Sequence, residues 1–202
     1  MHIRDLTREE LKTIYEAEMV HAFPPAELKP FSAMERLMDR GLYHPLGLFE
    51  DGALVSYLLL WTDESGQFAL GDYLGTVAGR RNGGLGGKFL QLVFASYPEF
   101  KCIFGEAEAP GPEASDEENA LRRRRLGFYE RNGLRYLNYD CALFGVHYRC
   151  LAYGDAPDEE VLQAHREIYA SAFPPDKLEK YIQIPLAPGE AVKPVTDWEE
   201  EP

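Results

Sequence analysis

Seven residues from Arg81 to Gly87 have the composition of an anion-binding loop. The segment reads Arg-Asn-Gly-Gly-Leu-Gly-Gly and lies between a predicted strand, which ends near Val77, and a predicted helix, which begins near Leu85. Glycines let successive backbone N–H groups converge on an anion at a helix N-terminus, where the macrodipole favours negative charge. Arg81 adds a cation beside them. A tight turn that binds nothing has the same composition, so the pattern by itself leaves both interpretations open.

Two nucleotide-binding motifs fail at named positions of this loop. A P-loop that ends on Gly87-Lys88 needs Gly where Asn82 stands and Ser or Thr where Phe89 stands. A Rossmann fingerprint that starts at Gly84 needs Gly or Ala where Phe89 stands, and it needs a parallel βαβ unit. The strands before the loop are predicted to form an antiparallel meander instead. Neither nucleotide-binding class is therefore indicated.

Tyr129 and two glutamates are of residue types that can take part in proton transfer. A phenol with a pKa of about 10 stays protonated at neutral pH, so a tyrosine can act as a proton donor. Glu106 and Glu108 end the strand predicted over 101–108, and strand alternation places both on one face. Like charges so close raise the pKa of one carboxyl group, which suits a general base. Glu106 is preferred because it lies deeper, while Glu108 or a water molecule remains an alternative.

Each of these residues also has a structural interpretation. Tyr129 could be a core tyrosine at the end of an amphipathic helix, and the two glutamates could be solvated carboxylates at the start of an acidic loop. The run Arg122 to Arg125 sweeps about 300 degrees of a helix, so at least one arginine must face inward. Arg124 and Arg125 could hold Glu106 or Glu108, an acceptor carboxylate or a phosphate. The histidines, His165 among them, have no acid or nucleophile at a useful sequence spacing and are expected to be structural.

The composition excludes several classes of partner. Lys and Arg number 21 against 34 Asp and Glu, a net charge of -13, which argues against nucleic acid and against an anionic membrane surface. A cationic or amine-bearing partner fits better. Cys102, Cys141 and Cys150 contain no C-x-x-C pair, so we expect neither disulfides nor a metal site, and a reducing cytoplasm is the expected compartment. The charged N-terminus and the short apolar run near 58–61 predict neither a secretory signal nor a membrane span.

Hydrophobic periodicity and turn signals predict seven strands and four helices, followed by a separate C-terminal helix. The chain is therefore expected to be an α+β, or mixed α/β, layer protein. The predicted strands are 2–6, 46–50, 53–62, 68–77, 101–108, 134–143 and 146–153. The predicted helices are 7–23, 26–40, one from 85 to about 96, and 117–131.

The order of these elements and two motifs resemble the GNAT N-acetyltransferase superfamily. The first motif is Arg-x-x-Gly-x-Gly between a strand and a helix, which is similar to the family's coenzyme A pyrophosphate loop. The second is Gly127-Phe128-Tyr129 through Gly133-Leu134, which resembles the family's Tyr-x-x-x-Gly-Phe signature with Leu134 in place of Phe. The resemblance covers roughly residues 1–153. It implies a central, mostly antiparallel seven-stranded sheet flanked by helices.

The resemblance also implies a cofactor and roles for particular residues. Acetyl-coenzyme A would be the acetyl donor. Its pantetheine arm would pair with the backbone of Leu74, Gly75 and Thr76, and its pyrophosphate would bind to Arg81, Gly83, Gly84, Gly86 and Gly87. Tyr129 would protonate the leaving thiolate, and Glu106 would free the lone pair of the acceptor amine.

The chain is expected to divide into an acetyltransferase domain, 1–153, and an acidic C-terminal extension, 154–202. The extension holds a helix predicted over 157–172 with an apolar face, which must dock on the sheet or on a partner subunit. The predicted function is acetyl transfer to a primary amine of a small-molecule or peptide acceptor by a monomer or homodimer. The alternative is a catalytically silent coenzyme A-binding or protein-interaction module on the same fold.

Overall fold

Eight strands form one mixed sheet in the computed structural model, which describes residues 1–25, 27–80 and 83–194. Their order across the sheet is β1-β2-β3-β4-β5-β7-β6-β8, and every neighbouring pair is antiparallel except β4 and β5. The expected mixed class is thereby confirmed, with one strand more than the sequence predicted. The strands are β1 (His2–Asp5), β2 (Tyr43–Glu50), β3 (Ala53–Thr62), β4 (Phe68–Thr76), β5 (Cys102–Glu108), β6 (Arg135–Leu143), β7 (Val146–Tyr153) and β8 (Ile182–Leu186).

Helices cover both faces of this sheet. The first helical stretch contains α1 (Arg8–Ile14), a π-helical turn (Tyr15–Met19) and the short α2 (Val20–Ala22). A capping box starts it, because the Thr7 side chain accepts from the Glu10 backbone N–H while the Glu10 carboxylate accepts from the Thr7 backbone N–H. The remaining helices are α3 (Phe31–Asp39), α4 (Leu85–Ser96), α5 (Asp116–Arg131), α6 (Asp158–Ala172) and α7 (Pro175–Tyr181).

The second predicted helix, 26–40, begins later than expected. In the structure α3 starts only at Phe31, directly after Pro30. A proline disfavours helical dihedrals at the residue before it, so Lys29 ends the preceding turn instead of continuing a helix. That turn is closed by the backbone N–H groups of Glu27 and Leu28, which both donate to the Pro24 carbonyl.

Two hydrophobic clusters divide the core between the faces of the sheet. One face, which we term the α6 face, buries α1, α3 and α6 against residues such as Trp61, Leu70 and Phe104. The other, the α4–α5 face, buries Phe89 and Leu126 from its two helices. Because strand side chains alternate, neighbouring residues of β5 serve different faces. Phe104 lies in the first cluster and Ala107 in the second.

The strands β4 and β5 pair over only three residues and then separate. The parallel register runs from Phe68 opposite Cys102 to Leu70 opposite Phe104. Beyond that point no described strand lies between 71–76 of β4 and 105–108 of β5. We refer to this opening as the β4–β5 fork. It leaves one backbone edge of β4 without a strand partner, which is the geometry that an extended ligand needs to add to a sheet.

The C-terminal segment packs on the α6 face and extends the sheet. Val161, Ala164 and Ile168 of α6 lie in the same cluster as the strands. β8 pairs with β6, with Asp140 opposite Leu186 and Leu143 opposite Ile182. Sequence periodicity identified α6 but not β8, because five residues that include a proline give too short a pattern. Within the described ranges, no helix has the length and apolar character needed to cross a membrane.

Replacing Ile168 with alanine tests the packing of α6. Ile168 is fully buried, so Ile168→Ala should lower the free energy of unfolding by about 2–5 kcal/mol through lost burial and the cavity left behind. Chemical denaturation monitored by fluorescence measures the change. Glu167→Ala, one residue away on the exposed side of α6, is the control and should change stability by less than about 0.5 kcal/mol. Equal effects of the two substitutions would show that α6 does not pack on this core.

Candidate active site

Tyr129 reaches the β4–β5 fork from the α4–α5 face. A cavity at the base of the fork is lined by Gly71 and Leu74 of β4, by Gly105 of β5 and by Tyr129 of α5. Burial raises the pKa of Tyr129, with Arg125 opposing the shift, so the phenol stays protonated at neutral pH. Among the described residues its hydroxyl has no hydrogen-bond partner. The geometry leaves this donor available to a group bound in the fork.

Glu106 approaches the fork from the opposite face and is held by α6. Its Oε1 lies 2.6 Å from Nε2 of His165, and the Tyr169 hydroxyl lies 3.1 Å from both carboxylate oxygens. The Glu106 side chain is 12% exposed and that of His165 is fully buried. His165 and Tyr169 are four residues apart, so they share one face of the helix. The strand-borne carboxylate is thus oriented by two polar groups of the C-terminal extension.

The buried imidazole of His165 is polarised by its neighbours. Nδ1 lies 3.1 Å from the Tyr139 hydroxyl, so both ring nitrogens have partners. Burial by itself lowers the pKa of His165, but the neighbouring Cys150 thiol and the hydrogen bond and charge of Glu106 raise it to about 9. At neutral pH the ring is therefore an imidazolium, paired with the Glu106 side chain. Such a pair satisfies two groups that would each be costly to bury alone.

Glu106, Cys141 and His165 bring potential metal ligands within 4.8 Å of one another. Two ligands of one tetrahedral zinc ion, with bonds of about 2.0 Å, must lie about 3.3 Å apart. The separation of 2.6 Å between Glu106 and His165 is shorter than that and is typical of a charge-assisted hydrogen bond. The geometry of this cluster is that of a hydrogen-bonded pair, not of two ligands of one metal ion.

Glu108 is anchored by arginines instead of by α6. Its carboxylate forms an ion pair with Arg122 at 3.1 Å and accepts a hydrogen bond from Arg125 at 2.9 Å. Arg122 is the inward-facing member of the arginine run, with a side chain that is 17% exposed. Of the two arginines expected to bind Glu106 or Glu108, Arg125 does so, and among the described contacts Arg124 does not. The two glutamates, equivalent in sequence, therefore have different electrostatic surroundings.

The strand edge predicted to bind pantetheine borders the fork. Leu74, Gly75 and Thr76 pair with Leu58, Tyr57 and Ser56 of β3 on one side, and the other side faces the fork. Gly75 is required for packing, because a Cβ there would lie 2.1 Å from the ring of Tyr57. Thr76 Oγ1 lies 2.9 Å from Ser56 Oγ. The sheet thus keeps this backbone edge regular up to the end of β4.

Gly84 begins α4 in a left-handed conformation, with φ of 72° and no side-chain cap. A non-glycine residue at that φ is strained, and the first backbone N–H groups of a helix have no partner within it. The loop therefore presents an uncapped helix N-terminus, as an anion-binding loop requires. Arg81, predicted to assist, lies outside the described residues.

The neighbouring glycines of the loop have different environments. A Cβ at Gly87 would lie 2.8 Å from the Asn132 side chain, and one at Gly86 would lie 3.5 Å from Phe128. Gly87 therefore allows α4 to pack close to Asn132 at the end of α5, whereas a Cβ at Gly86 would make an ordinary van der Waals contact. A Cβ at Gly83 would meet nothing nearer than 3.8 Å, so this position has room for a side chain.

His165 shows where sequence reasoning missed a site residue. No acid lies at a useful sequence spacing from His165, because its partner Glu106 is 59 residues away in the chain. His147, set aside in the same way, lies 2.9 Å from Asp140. A signal was present: a histidine on the apolar face of α6, followed by a tyrosine four residues later, requires buried hydrogen-bond partners. The sequence did not show which residue provides them.

Comparison of the fold with solved structures gives many matches. A Bacteroides thetaiotaomicron protein described as a GNAT-family acetyltransferase has a TM-score of 0.66 and 21% identity, covering 85% of this chain and 97% of that one. A GNAT-like decarboxylase in complex with isobutyryl-CoA has a TM-score of 0.58 and 15% identity, covering 76% and 99%. An aminoglycoside 6'-N-acetyltransferase complexed with coenzyme A has a TM-score of 0.55 and 11% identity, covering 78% and 98%.

The chain has the GNAT fold. The resemblance predicted from its glycine loop and tyrosine motif is confirmed at the level of the fold. No family model matches the sequence, and no curated protein is similar to it. The matched solved structures are covered almost completely, so the chain spans the whole of the shared architecture.

The raised pKa of His165 predicts a stability that falls as the pH rises. The protonated imidazole is favoured in the folded state up to a pKa of about 9, against about 6.5 when unfolded. Its contribution is therefore complete below about pH 6.5 and is lost as the pH rises through 9, a change on the order of 2–3 kcal/mol. Denaturant titrations at pH 6, 7.5 and 9 should show this decline in the native chain.

Two histidine variants separate this effect from other titrations. His165→Gln should be less stable at pH 6 and should lose most of the decline between pH 6 and pH 9. His21→Gln, at an exposed histidine, should keep the native slope. If His165→Gln shows the native slope, the imidazolium–carboxylate pair is absent.

Proposed function

We propose that this protein is an acetyl-CoA-dependent N-acetyltransferase that moves an acetyl group directly to a primary amine. The single observation that carries the proposal is the fork: Tyr129 lines its base from one face of the sheet, and Glu106, on β5 beyond the last pair with β4, has its side chain on the opposite face. Acetyl-CoA would supply an activated thioester, so the amine forms an amide and the thiol leaves. Solved neighbours with coenzyme A or isobutyryl-CoA support a ligand of this chemistry.

The backbone of this chain offers two features suited to coenzyme A. The free edge of β4 at Leu74, Gly75 and Thr76 is suited to hydrogen bonds with the amides of pantetheine, as when a strand is added to a sheet. The uncapped N-terminus of α4 at Gly84 is suited to the pyrophosphate, with Gly83, Gly86, Gly87 and Arg81 completing the loop. Both features lie after the point where β4 separates from β5.

Glu106 and Tyr129 divide the proton transfers between them. An amine is protonated at pH 7, and Glu106 accepts its proton, directly or through a water molecule, to free the lone pair. His165 and Tyr169 hold the carboxylate in one orientation while its position next to the fork keeps it in reach of a substrate. Tyr129 protonates the departing sulfur, a role supported by its place at the base of the fork and by a hydroxyl that is protonated at neutral pH.

The alternative is a coenzyme A-binding module that does not transfer the acetyl group. One observation favours it: both oxygens of Glu106 accept hydrogen bonds from α6, which reduces the capacity of this carboxylate to act as a base. The two functions differ in one assay. Consumption of acetyl-CoA in the presence of a panel of primary amines supports the enzyme, whereas coenzyme binding without consumption supports the module.

Gly83→Asp is predicted to weaken coenzyme A binding without harming the fold. The position has room for a side chain, and a carboxylate at a helix N-terminus stabilises the helix while it repels the pyrophosphate. Acetyl-CoA at about a hundredfold excess over its Kd stabilises the native chain by about 2.7 kcal/mol, which raises Tm. This shift should be lost in Gly83→Asp and kept in Gly83→Ala, while the ligand-free Tm of both stays near the native value. A native-size shift in Gly83→Asp would place the coenzyme elsewhere.

Tyr129→Phe is predicted to lower kcat by about 10²-fold with little change in the KM for acetyl-CoA. The hydroxyl acts mainly on the leaving group, so its removal affects the transition state more than coenzyme binding. Steady-state thiol release with an acceptor amine provides the measurement. Tyr153→Phe removes a hydroxyl from the half-exposed tyrosine that stacks on Phe94 and serves as the control. Unchanged kcat in Tyr129→Phe would reduce Tyr129 to a packing residue.

A further inference from the structure

A second, larger cavity opens on the α6 face, apart from the cavity at the base of the fork. Its volume is about 600 Å³, within the range of small-molecule sites. It lies between the segment from Pro25 to Arg40 and the end of α6 at Ser171, Ala172 and Phe173. Leu28, Leu37, Phe144 and Phe173 provide apolar walls. The cavity is therefore built jointly by the N-terminal helical region and the C-terminal extension.

The inner end of this cavity borders the fork. Tyr73 lines it and belongs to β4, just beyond the last residue pair with β5. The Tyr73 hydroxyl donates to the Glu27 carbonyl at 2.7 Å and accepts from the Lys29 backbone N–H at 2.8 Å. These two hydrogen bonds hold the backbone of Glu27 and Lys29 against β4. The inner end thus carries the carboxylate of Glu27 on the same face as Glu106.

Among the described lining residues, Glu27 provides the carboxylate at this end of the cavity. Burial raises the pKa of Glu27, and the charge of Glu108 raises it further, while Arg125 and Arg122 oppose the shift. Lys29 lines the same cavity, but its Nζ lies 3.2 Å from Asp72, which balances its charge. The Glu27 carboxylate therefore suits a primary amine at this end.

The outer end of the cavity is cationic. Arg36 and Arg40, from the last turn and the C-terminal cap of α3, line it. Arg40 spans the opening, because its Nη1 donates to the Ser171 carbonyl at 2.7 Å, and its Nη2 lies 3.8 Å from Glu64. Arg36 makes no ion pair with any described residue. In a chain with a net charge of -13, two guanidinium groups at the mouth of one cavity point to an anionic ligand group.

We propose that the acceptor is an amine that carries a carboxylate at its other end, of the amino-acid or short-peptide class. Its amine lies at the inner end near Glu27, on the face of the sheet that carries Glu106, its apolar body lies on the walls, and its carboxylate binds to Arg36 and Arg40. Guanidinium groups bind carboxylates through paired, charge-assisted hydrogen bonds. This inference rests on the proposed acetyl transfer, which it makes specific.

The test compares acids with their uncharged amides. Acetyl-CoA turnover is measured with α-amino acids, ω-amino acids and dipeptides, each paired with the corresponding amide, and with diamines and phosphorylated amines. The best acid should have a kcat/KM at least about tenfold above that of its amide. The expected order is acid over amide and acid over diamine.

Arg36→Gln is the diagnostic variant. Arg36 has no ion pair to lose among the described residues, so the change should not unfold the chain, and the ratio of acid to amide should fall towards one. Arg124→Gln, at an exposed arginine of α5, is the matched control and should keep the native ratio.

Each other outcome overturns the inference. Preference for amides or diamines contradicts it while leaving acetyl transfer intact. Preference for phosphorylated amines, with the same loss in Arg36→Gln, assigns the arginines to phosphate instead. If no compound in the panel is acetylated or raises Tm in the presence of coenzyme A, the assigned acceptor class is wrong. If acetyl-CoA itself fails to raise Tm, the proposed function fails as well.

Discussion

A buried hydrogen bond between Glu106 of β5 and His165 of α6 connects the sheet to the C-terminal segment. Neither group could be buried charged without the other, because an isolated ion in a protein interior is strongly disfavoured. Tyr139 and Tyr169 supply the remaining hydrogen bonds, so the pair is satisfied on every side that the structure describes. Removal of α6 would leave an unpaired carboxylate on β5 and an uncovered sheet face. The extension is therefore part of the site's construction.

The β4–β5 fork is the second constraint on the site. Three residue pairs hold β4 and β5 together at one end. Beyond these pairs, each strand presents one backbone edge to the gap. Side-chain alternation along β5 sends Glu106 to the α6 face, while Tyr129 comes from the α4–α5 face. In the proposed function, a coenzyme in the gap would lie between these two faces. The fork thus brings together residues that neither face could provide alone.

Local sequence signals predicted most of the fold because they depend on neighbouring residues. The capping box at Thr7, the glycine loop before α4 and the apolar run of β3 between two turns are all short-range patterns. Helical periodicity predicts a start of α3 that is too early, because it does not take account of the effect of Pro30 on the preceding residue. The strand β8 was missed because its pairing with β6 is a tertiary contact, with no distinctive pattern of its own.

The same contrast between local patterns and tertiary contacts applies to the residues of the candidate site. Tyr129 and Glu106 could be predicted because a motif and a strand end mark them. His165, Tyr169 and the difference between Glu106 and Glu108 could not, since they depend on which helix lies over β5 and where the Arg122 side chain points. The strongly acidic composition gave no indication that Arg36 and Arg40 line the same cavity. Net charge describes the whole surface and does not locate individual charges.

A crystal structure of the protein with bound coenzyme A tests the central claim most directly. The account predicts that the pantetheine arm lies in the β4–β5 fork along Leu74 and Gly75, with the pyrophosphate at the N-terminus of α4. The thiol should then lie close to the Tyr129 hydroxyl, on the side of the fork that leads to Glu106. Coenzyme A bound outside the fork, or with its thiol remote from Tyr129, would contradict the account.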